Sequence, residues 1–176
     1  MCADKRSYNV LFLCQHNSAR SILGEALVNS MPASGLCAYS AGSDPADAVH
    51  PQTLALLESL SIPTDKLYPK HWDTFAAPDA PPMDFVFTVC DKTASQTCPA
   101  WPNKPVTGHW GIADPSRVVD GPEQERQAFR DALHHISRRV HLFMSLPIAS
   151  RDRLTLQRDV EIIGRDTPDA SSEPEV

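Results

Sequence analysis

Residues Tyr8-Asn9-Val10-Leu11-Phe12-Leu13 run without a break into Cys14-Gln15-His16-Asn17-Ser18-Ala19-Arg20-Ser21, and this stretch decides the fold. Its first part is mostly apolar and rich in β-formers, the composition of a strand buried in a parallel sheet. Past the polar part, Ile22, Leu23, Ala26, Leu27 and Met31 recur at helical spacing until Pro32. Strand, tight loop and helix thus follow one another directly. A loop that passes from a strand into a helix start aims several backbone N–H groups inward, and the helix dipole adds partial positive charge. Arg20 at the helix start can grip two oxygens of a tetrahedral oxyanion at once. The same field favours the thiolate form of Cys14. Ser18 and Ser21 offer hydroxyls to the sulfur, and Asn17 can brace the loop. A cysteine and an arginine six apart also fit a buried thiol and an ordinary ion pair. Their placement between a strand and a helix favours chemistry. The loop has no glycine, which excludes a dinucleotide fingerprint.

Working outward, residues 37–41 predict a second strand, followed by a Gly42-Ser43-Asp44-Pro45 turn. His50-Pro51 opens a helix carrying Leu54, Leu57 and Leu60, with proline in its first turn. Residues 62–82 are proline-rich and read mostly as surface loop. A third strand is expected over 84–89, ending at Cys90, and a fourth over 106–110. Pro122 opens a long amphipathic helix with Phe129, Ala132, Leu133, Ile136, Val140 and Phe143 on one face. A last helix is predicted from a Ser150 cap to Ile163, closed by Gly164. The alternation predicts an α/β three-layer sandwich around a four-stranded parallel sheet. The expected organisation is a domain over 7–146, a helical extension over 147–163, and a disordered acidic tail over 164–176. Ligands of open parallel sheets bind at the carboxyl ends of the strands. Cys14, Cys90 and the His109-Trp110 pair before Asp114 should therefore meet along one edge.

The 176 residues suit one domain with a sizeable core, and 41 % apolar with 22 % charged residues is ordinary globular usage. No stretch has the length of a membrane span, and none before the first strand resembles a signal sequence, so the expected location is the cytoplasm. A net charge of −6 disfavours nucleic acid and anionic membranes as partners. An anionic substrate then depends on a local device. Five cysteines, an odd count, in a reducing compartment point to thiol chemistry or burial instead of a disulfide framework. Cys2 reads as exposed and Cys37 as a small core hydrophobe. Cys90 and Cys98 with His109 do not match a zinc spacing. His16 reads as a loop residue, and His134, His135 and His141 as surface or packing groups.

The stretch VLFLCQHNSARS resembles the phosphate loop of low-molecular-weight tyrosine phosphatases and of the arsenate reductases built on that fold. The resemblance continues through SAGSDP, VHP, FTVCD, CPAWP and HWGIADPS, over about residues 8–146. It implies an oxyanion held by Gln15, His16, Asn17, Ser18, Ala19, Arg20 and Ser21, with Cys14 as nucleophile. It also implies Asp114, in Asp114-Pro115, as general acid, where the residues alone fit a surface turn equally well. Phosphatases of this fold carry a tyrosine directly after the Asp-Pro. Ser116 and Arg117 stand here instead, which argues for a small inorganic anion: arsenate, with phosphate or sulfate as competitors.

Similarity to thioredoxin-coupled arsenate reductases further implies a relay. Cys14 attacks arsenate, Cys90 attacks Cys14 and releases arsenite, and Cys98 attacks Cys90 and carries the disulfide outward. Thioredoxin, or glutaredoxin with glutathione, would be the external reductant, and no cofactor would be bound. Seven residues separate Cys90 from Cys98, one more than in the best-known members. In a continuous helix the two would lie about 12 Å apart, against the ~4.4–6.8 Å between Cα atoms that a disulfide needs. The segment must then rearrange on oxidation unless it is already irregular. Some reductases of this fold bind potassium near the loop, and Asn17, Glu25 and Ser40 hold the matching places. The alternative enzyme reading is a phosphatase hydrolysing phosphomonoesters. A third is an anion-binding protein without turnover.

Overall fold

A computed structural model describes residues 7–166. Cys2 and the tail from residue 167 lie outside the described residues. Four strands, β1 (Tyr8–Cys14), β2 (Leu36–Gly42), β3 (Phe85–Thr88) and β4 (Val106–His109), form one sheet in the order β2-β1-β3-β4, with every pairing parallel. The helices are α1 (Arg20–Asn29), α2 (Pro51–Ser59), α3 (Asp91–Ala94), α4 (Pro122–Met144) and α5 (Arg153–Arg165).

Side chains alternate across a strand, so β1 feeds two cores. Val10 and Phe12, with Phe85 and Phe87 of β3, pack under α1, α4 and α5 against Ile22, Ile136, Phe143 and Val160. The Phe87 and Trp110 rings stack there with centroids 3.8 Å apart, and Phe143 meets both edge-on. Leu11 and Leu13, with Val86 and Ala41, face the other way onto Phe75 and Met83. A 3-10 turn, Trp72–Phe75, helps cover this second face. Helical segments thus flank both sides of the parallel sheet, the α/β sandwich expected.

The surface-loop reading of 62–82 holds apart from one turn, and the last helix needs correction. The proline-rich stretch 62–82 is largely loop, yet it lays Phe75 into the second core and bridges His71 to Gly42. One 3-10 turn is too short to leave a periodic signal. The last helix is capped by Asp152, whose Oδ1 accepts from the Thr155 amide at 3.0 Å, and not by Ser150. It also runs through Gly164 instead of ending there. Glycine is required at that position by proximity, because a Cβ would collide with the His109 carbonyl oxygen. Val160 and Ile163 of α5 are buried, and Trp110 Nε1 donates to the Val160 carbonyl at 3.1 Å. Of the segment 164–176 expected to be disordered, Gly164 and Arg165 are therefore helical, with Gly164 packed on β4 and Arg165 exposed. No helix among the described residues is long and apolar enough to cross a membrane.

Candidate active site

The loop between β1 and α1 is shaped by where its carbonyls go. Gln15 O accepts from the Asp44 amide at 2.9 Å, and His16 O accepts from the Ala46 amide at 2.9 Å. Ser18 O accepts from the His50 amide at 2.9 Å and from Thr53 Oγ1 at 3.0 Å. In a trans peptide the N–H points opposite the preceding C=O. Carbonyls of 15, 16 and 18 held outward therefore turn the amides of His16, Asn17 and Ala19 inward. The Asn17 amide shows this directly, donating to Cys14 Sγ at 3.2 Å.

Asn17 is the brace. Its φ of 46° lies in the left-handed region, which asparagine tolerates better than most residues. Its fully buried side chain donates to Ser21 Oγ (2.8 Å) and Ser40 Oγ (2.9 Å) and accepts from the Lys70 amide (2.7 Å). Gly42, paired with Cys14 across the sheet, leaves the loop its room. A Cβ there would run into the Gln15 carbonyl oxygen.

Cys14 is 3 % exposed, with Sγ 2.8 Å from Ser21 Oγ. Burial pushes its thiol up, and nearby Cys90 adds to this, while the Ser21 hydroxyl and amide and the Arg20 charge pull down less strongly. The thiolate expected from the loop's field is thus not the favoured form in this state. The physical reason is burial of the sulfur, which outweighs the Ser21 and Arg20 contributions, and Arg20 is itself paired. Its Nη1 donates to the Ile112 carbonyl at 2.9 Å and its Nη2 to Asp114 Oδ2 at 3.1 Å. Burial would raise the Asp114 carboxyl, but the Ser116 hydroxyl, the Arg20 guanidinium, the Ser116 amide and Arg117 together hold it below the usual carboxylate range. Ser116 takes Oδ1 (2.7 Å from its hydroxyl), leaving Oδ2 to Arg20.

The Val89 amide donates to the Leu13 carbonyl at 2.8 Å, which carries the register of β1 and β3 one step further. Cys90 thereby ends beside Cys14, and both are buried in the same cluster. Cys90 Sγ accepts from the Thr93 amide at 3.4 Å and lies 2.9 Å from Thr93 Oγ1, so the sulfur itself caps α3. That helix stops at Ala94, so the uninterrupted helix from Cys90 to Cys98 does not form. Cys98, like Trp101, packs against the other core, and burial raises its thiol. Cys37 is buried at the far end of β2, in register with Asn9, and is disulfide-bonded, unlike the free thiol expected. Gln15, Arg20, Cys90, Asp91, Asp114 and Arg117 are among the residues around a cavity of about 590 Å³ at this edge.

Asn17, Glu25 and Ser40 do come together. Ser40 Oγ donates to Glu25 Oε2, but the Lys70 ammonium lies 3.4 Å from the same carboxylate and donates to the Tyr68 carbonyl at 2.8 Å. A fixed ammonium therefore stands against the carboxylate that a potassium ion would need. Burial pushes Glu25 up, and Lys70 and Ser40 oppose it. His16 points to the Asp44 carbonyl at 3.0 Å, on the rim. The sequence reading missed Asp44, His50, Thr53 and Lys70 as supports of the loop. Their contribution is mostly backbone or long-range, and no local motif marks it.

Residues 9–160 match the family described as low molecular weight phosphotyrosine protein phosphatase. The chain belongs to that family. Among its relatives, an arsenate reductase of Halalkalibacterium halodurans is 28% identical over 134 residues, 76% of this chain and 93% of the relative. A glutaredoxin arsenate reductase of Synechocystis sp. is 27% identical over 131 residues, 74% of this chain and 92% of the relative. A solved arsenate reductase in the phosphate binding state has the same fold, with a TM-score of 0.63 and 24% identity over 78% of this chain and 97% of that one.

Proposed function

We propose that this chain reduces arsenate to arsenite by thiol chemistry at Cys14, with Cys90 and Cys98 as relay thiols and an external thiol reductant of the thioredoxin or glutaredoxin class. The observation that carries the reading is Cys90, a second free thiol buried beside Cys14 at the adjacent strand end. Ester hydrolysis has no use for it, because it moves no net electrons. The arsenate reductases among the relatives favour the same reading.

The incoming oxyanion draws Arg20 from Asp114 onto itself and into the ring of inward amides. Losing the guanidinium and gaining an anionic neighbour both raise the affinity of Asp114 for a proton. The Cys14 sulfur attacks arsenic. The thiol proton ends on the departing hydroxyl, which leaves as water, with Asp114 as its carrier. Cys90 then attacks Cys14 Sγ, and the electron pair of the S–As bond leaves with arsenic as arsenite. Cys98 attacks Cys90 Sγ and frees Cys14 as a thiolate, and the final disulfide takes two electrons from the reductant. Thioredoxin and glutaredoxin are distinguished by supplying each in turn with arsenate and following NADPH consumption.

The phosphatase reading remains the rival, and Cys14→Ser abolishes activity under both. Cys90→Ser separates them: it should stop repeated arsenate turnover and leave hydrolysis of a small phosphomonoester nearly intact. Sustained arsenate reduction by Cys90→Ser with either reductant would overturn the relay.

A further inference from the structure

Cys90 lies in the core that α1, α4 and α5 cover, whereas Cys98 packs on the opposite one. On the relay proposed above, the segment joining them has to leave its place before Cys98 can reach Cys90. Its first turn is held by two side-chain clasps. One is the cap of α3 by Cys90 Sγ, accepting from the Thr93 amide and meeting its hydroxyl. The other runs from the neighbouring strand. His109, at the end of β4, has Nδ1 2.8 Å from Thr88 Oγ1 and Nε2 2.9 Å from Asp91 Oδ1. With the Thr88 hydroxyl donating to Nδ1, the imidazole carries its proton on Nε2 and donates to the Asp91 carboxylate. The backbone makes room for this pair. A Cβ on Gly111 would lie 2.8 Å from His109 Nε2 and 3.0 Å from Asp91 Oδ1.

We infer that His109 is a positioning residue of the relay: through Asp91 it holds the Cys90–Cys98 segment in its reduced place and paces the second thiol exchange. The two clasps release in sequence. When Cys90 Sγ bonds to Cys14, the electron pair of the S–As bond leaves with arsenite. The sulfur becomes half of a disulfide, a poorer acceptor for Thr93, and the cap of α3 weakens through the chemistry itself. The Asp91–His109 bond then remains. Once it opens, Cys98 thiolate attacks Cys90 Sγ, the Cys14–Cys90 bond breaks, and Cys14 leaves with the electron pair and takes a proton from solvent. No further oxidant enters. The clasp slows the approach of Cys98 to the new disulfide, and the exposure of Asp91 keeps it weak enough to open.

The experiment is a single turnover of the reduced full-length chain with arsenate, quenched at intervals by thiol alkylation, with disulfides mapped by mass spectrometry. In His109→Phe the Cys14–Cys90 disulfide should form at the wild-type rate, and its conversion to Cys90–Cys98 should be about two- to five-fold faster, the scale of an exposed charge-linked bond. His109→Gln, which keeps a donor toward Asp91, should return the rate toward wild type. Thr93→Val, whose clasp the first exchange has already released, should leave that conversion near wild type. An unchanged second exchange in His109→Phe overturns the inference. Amide exchange over residues 93–96 in the reduced protein, without arsenate, reads the clasp separately. It should be faster in His109→Phe, and equal protection also overturns the inference. If the wild type never forms a Cys14–Cys90 disulfide while that exchange difference holds, the relay fails and the clasp survives only as a structural contact.

Discussion

Asp114→Asn removes one charge from the pair on Arg20 while keeping the side chain's shape and an oxygen for Ser116. In the wild type the two partners are 11% and 17% exposed and 3.1 Å apart, so the carboxylate offsets part of the guanidinium charge at the loop. Arg20 already favours the thiolate, and the variant adds only the loss of the carboxylate's repulsion. A like charge about 10 Å from a thiolate costs it about 1.7 kcal/mol at an effective dielectric of about 20. That corresponds to roughly fifteenfold in thiolate fraction at a pH below the thiol pKa. A less basic thiolate is also a poorer nucleophile, with a Brønsted slope of about 0.5, so about half the logarithmic gain is lost again. Asp114→Asn should therefore be alkylated at Cys14 by iodoacetamide about fourfold faster than wild type at neutral pH.

Site-resolved mass spectrometry follows Cys14 separately from Cys90 and Cys98, and inorganic phosphate should protect Cys14 in both proteins. Arsenate turnover should move the other way, falling roughly 10²-fold because the proton carrier is gone. The opposite movement of the two rates is the signature. A wild-type Cys14 alkylated as fast as the variant's would refute the idea that the Asp114 charge offsets Arg20 at the sulfur.

Three further outcomes follow from the same geometry. Gly42→Ala must push the Gln15 carbonyl aside, costing about 1–3 kcal/mol as overpacking does; urea unfolding measures this, and calorimetry should show phosphate affinity down at least tenfold. Asn17→Ala deletes three hydrogen bonds, two of them buried, and leaves alanine at a φ of 46°. It should cost about 3 kcal/mol, since each orphaned buried group costs about 1 kcal/mol or more, and an unchanged denaturation midpoint contradicts that. Asp114 is held below its ordinary value in the folded chain. Its contribution to stability is thus complete above the unfolded carboxyl pKa near ~4 and is lost as pH falls through the lower folded value. Unfolding free energies between about pH 4 and 2 should fall less steeply for Asp114→Asn than for wild type, and equal slopes count against the pairing.

The parts of this molecule legible in its sequence are those whose cause is local. Apolar strands, the His50-Pro51 helix start and the face of α4 each carry their periodicity within ten or twenty residues, and the structure keeps them. The Cys14–Arg20 loop is legible for the same reason, since its flanking strand and helix fix its setting. Lys70 was not, because it sits in a proline-rich stretch with no period and reaches Asn17 across 53 positions. Gly164 looked like a helix stop because glycine commonly is one, whereas its cause is the carbonyl of His109 pressed against it. The largest difference, the ionisation of Cys14, has the same root. The sequence shows the cation and the helix start, but only folding buries the sulfur, which outweighs them, and brings Asp114, 94 residues away, onto Arg20. A charge read from sequence is an upper limit on the field it exerts, because the chain supplies partners the local pattern does not show. On this reading the loop is built for an anion and keeps its nucleophile as a thiol until one arrives. The incoming oxyanion takes Arg20 from Asp114 and so frees that carboxylate to carry the thiol proton, which couples substrate binding to activation of the nucleophile.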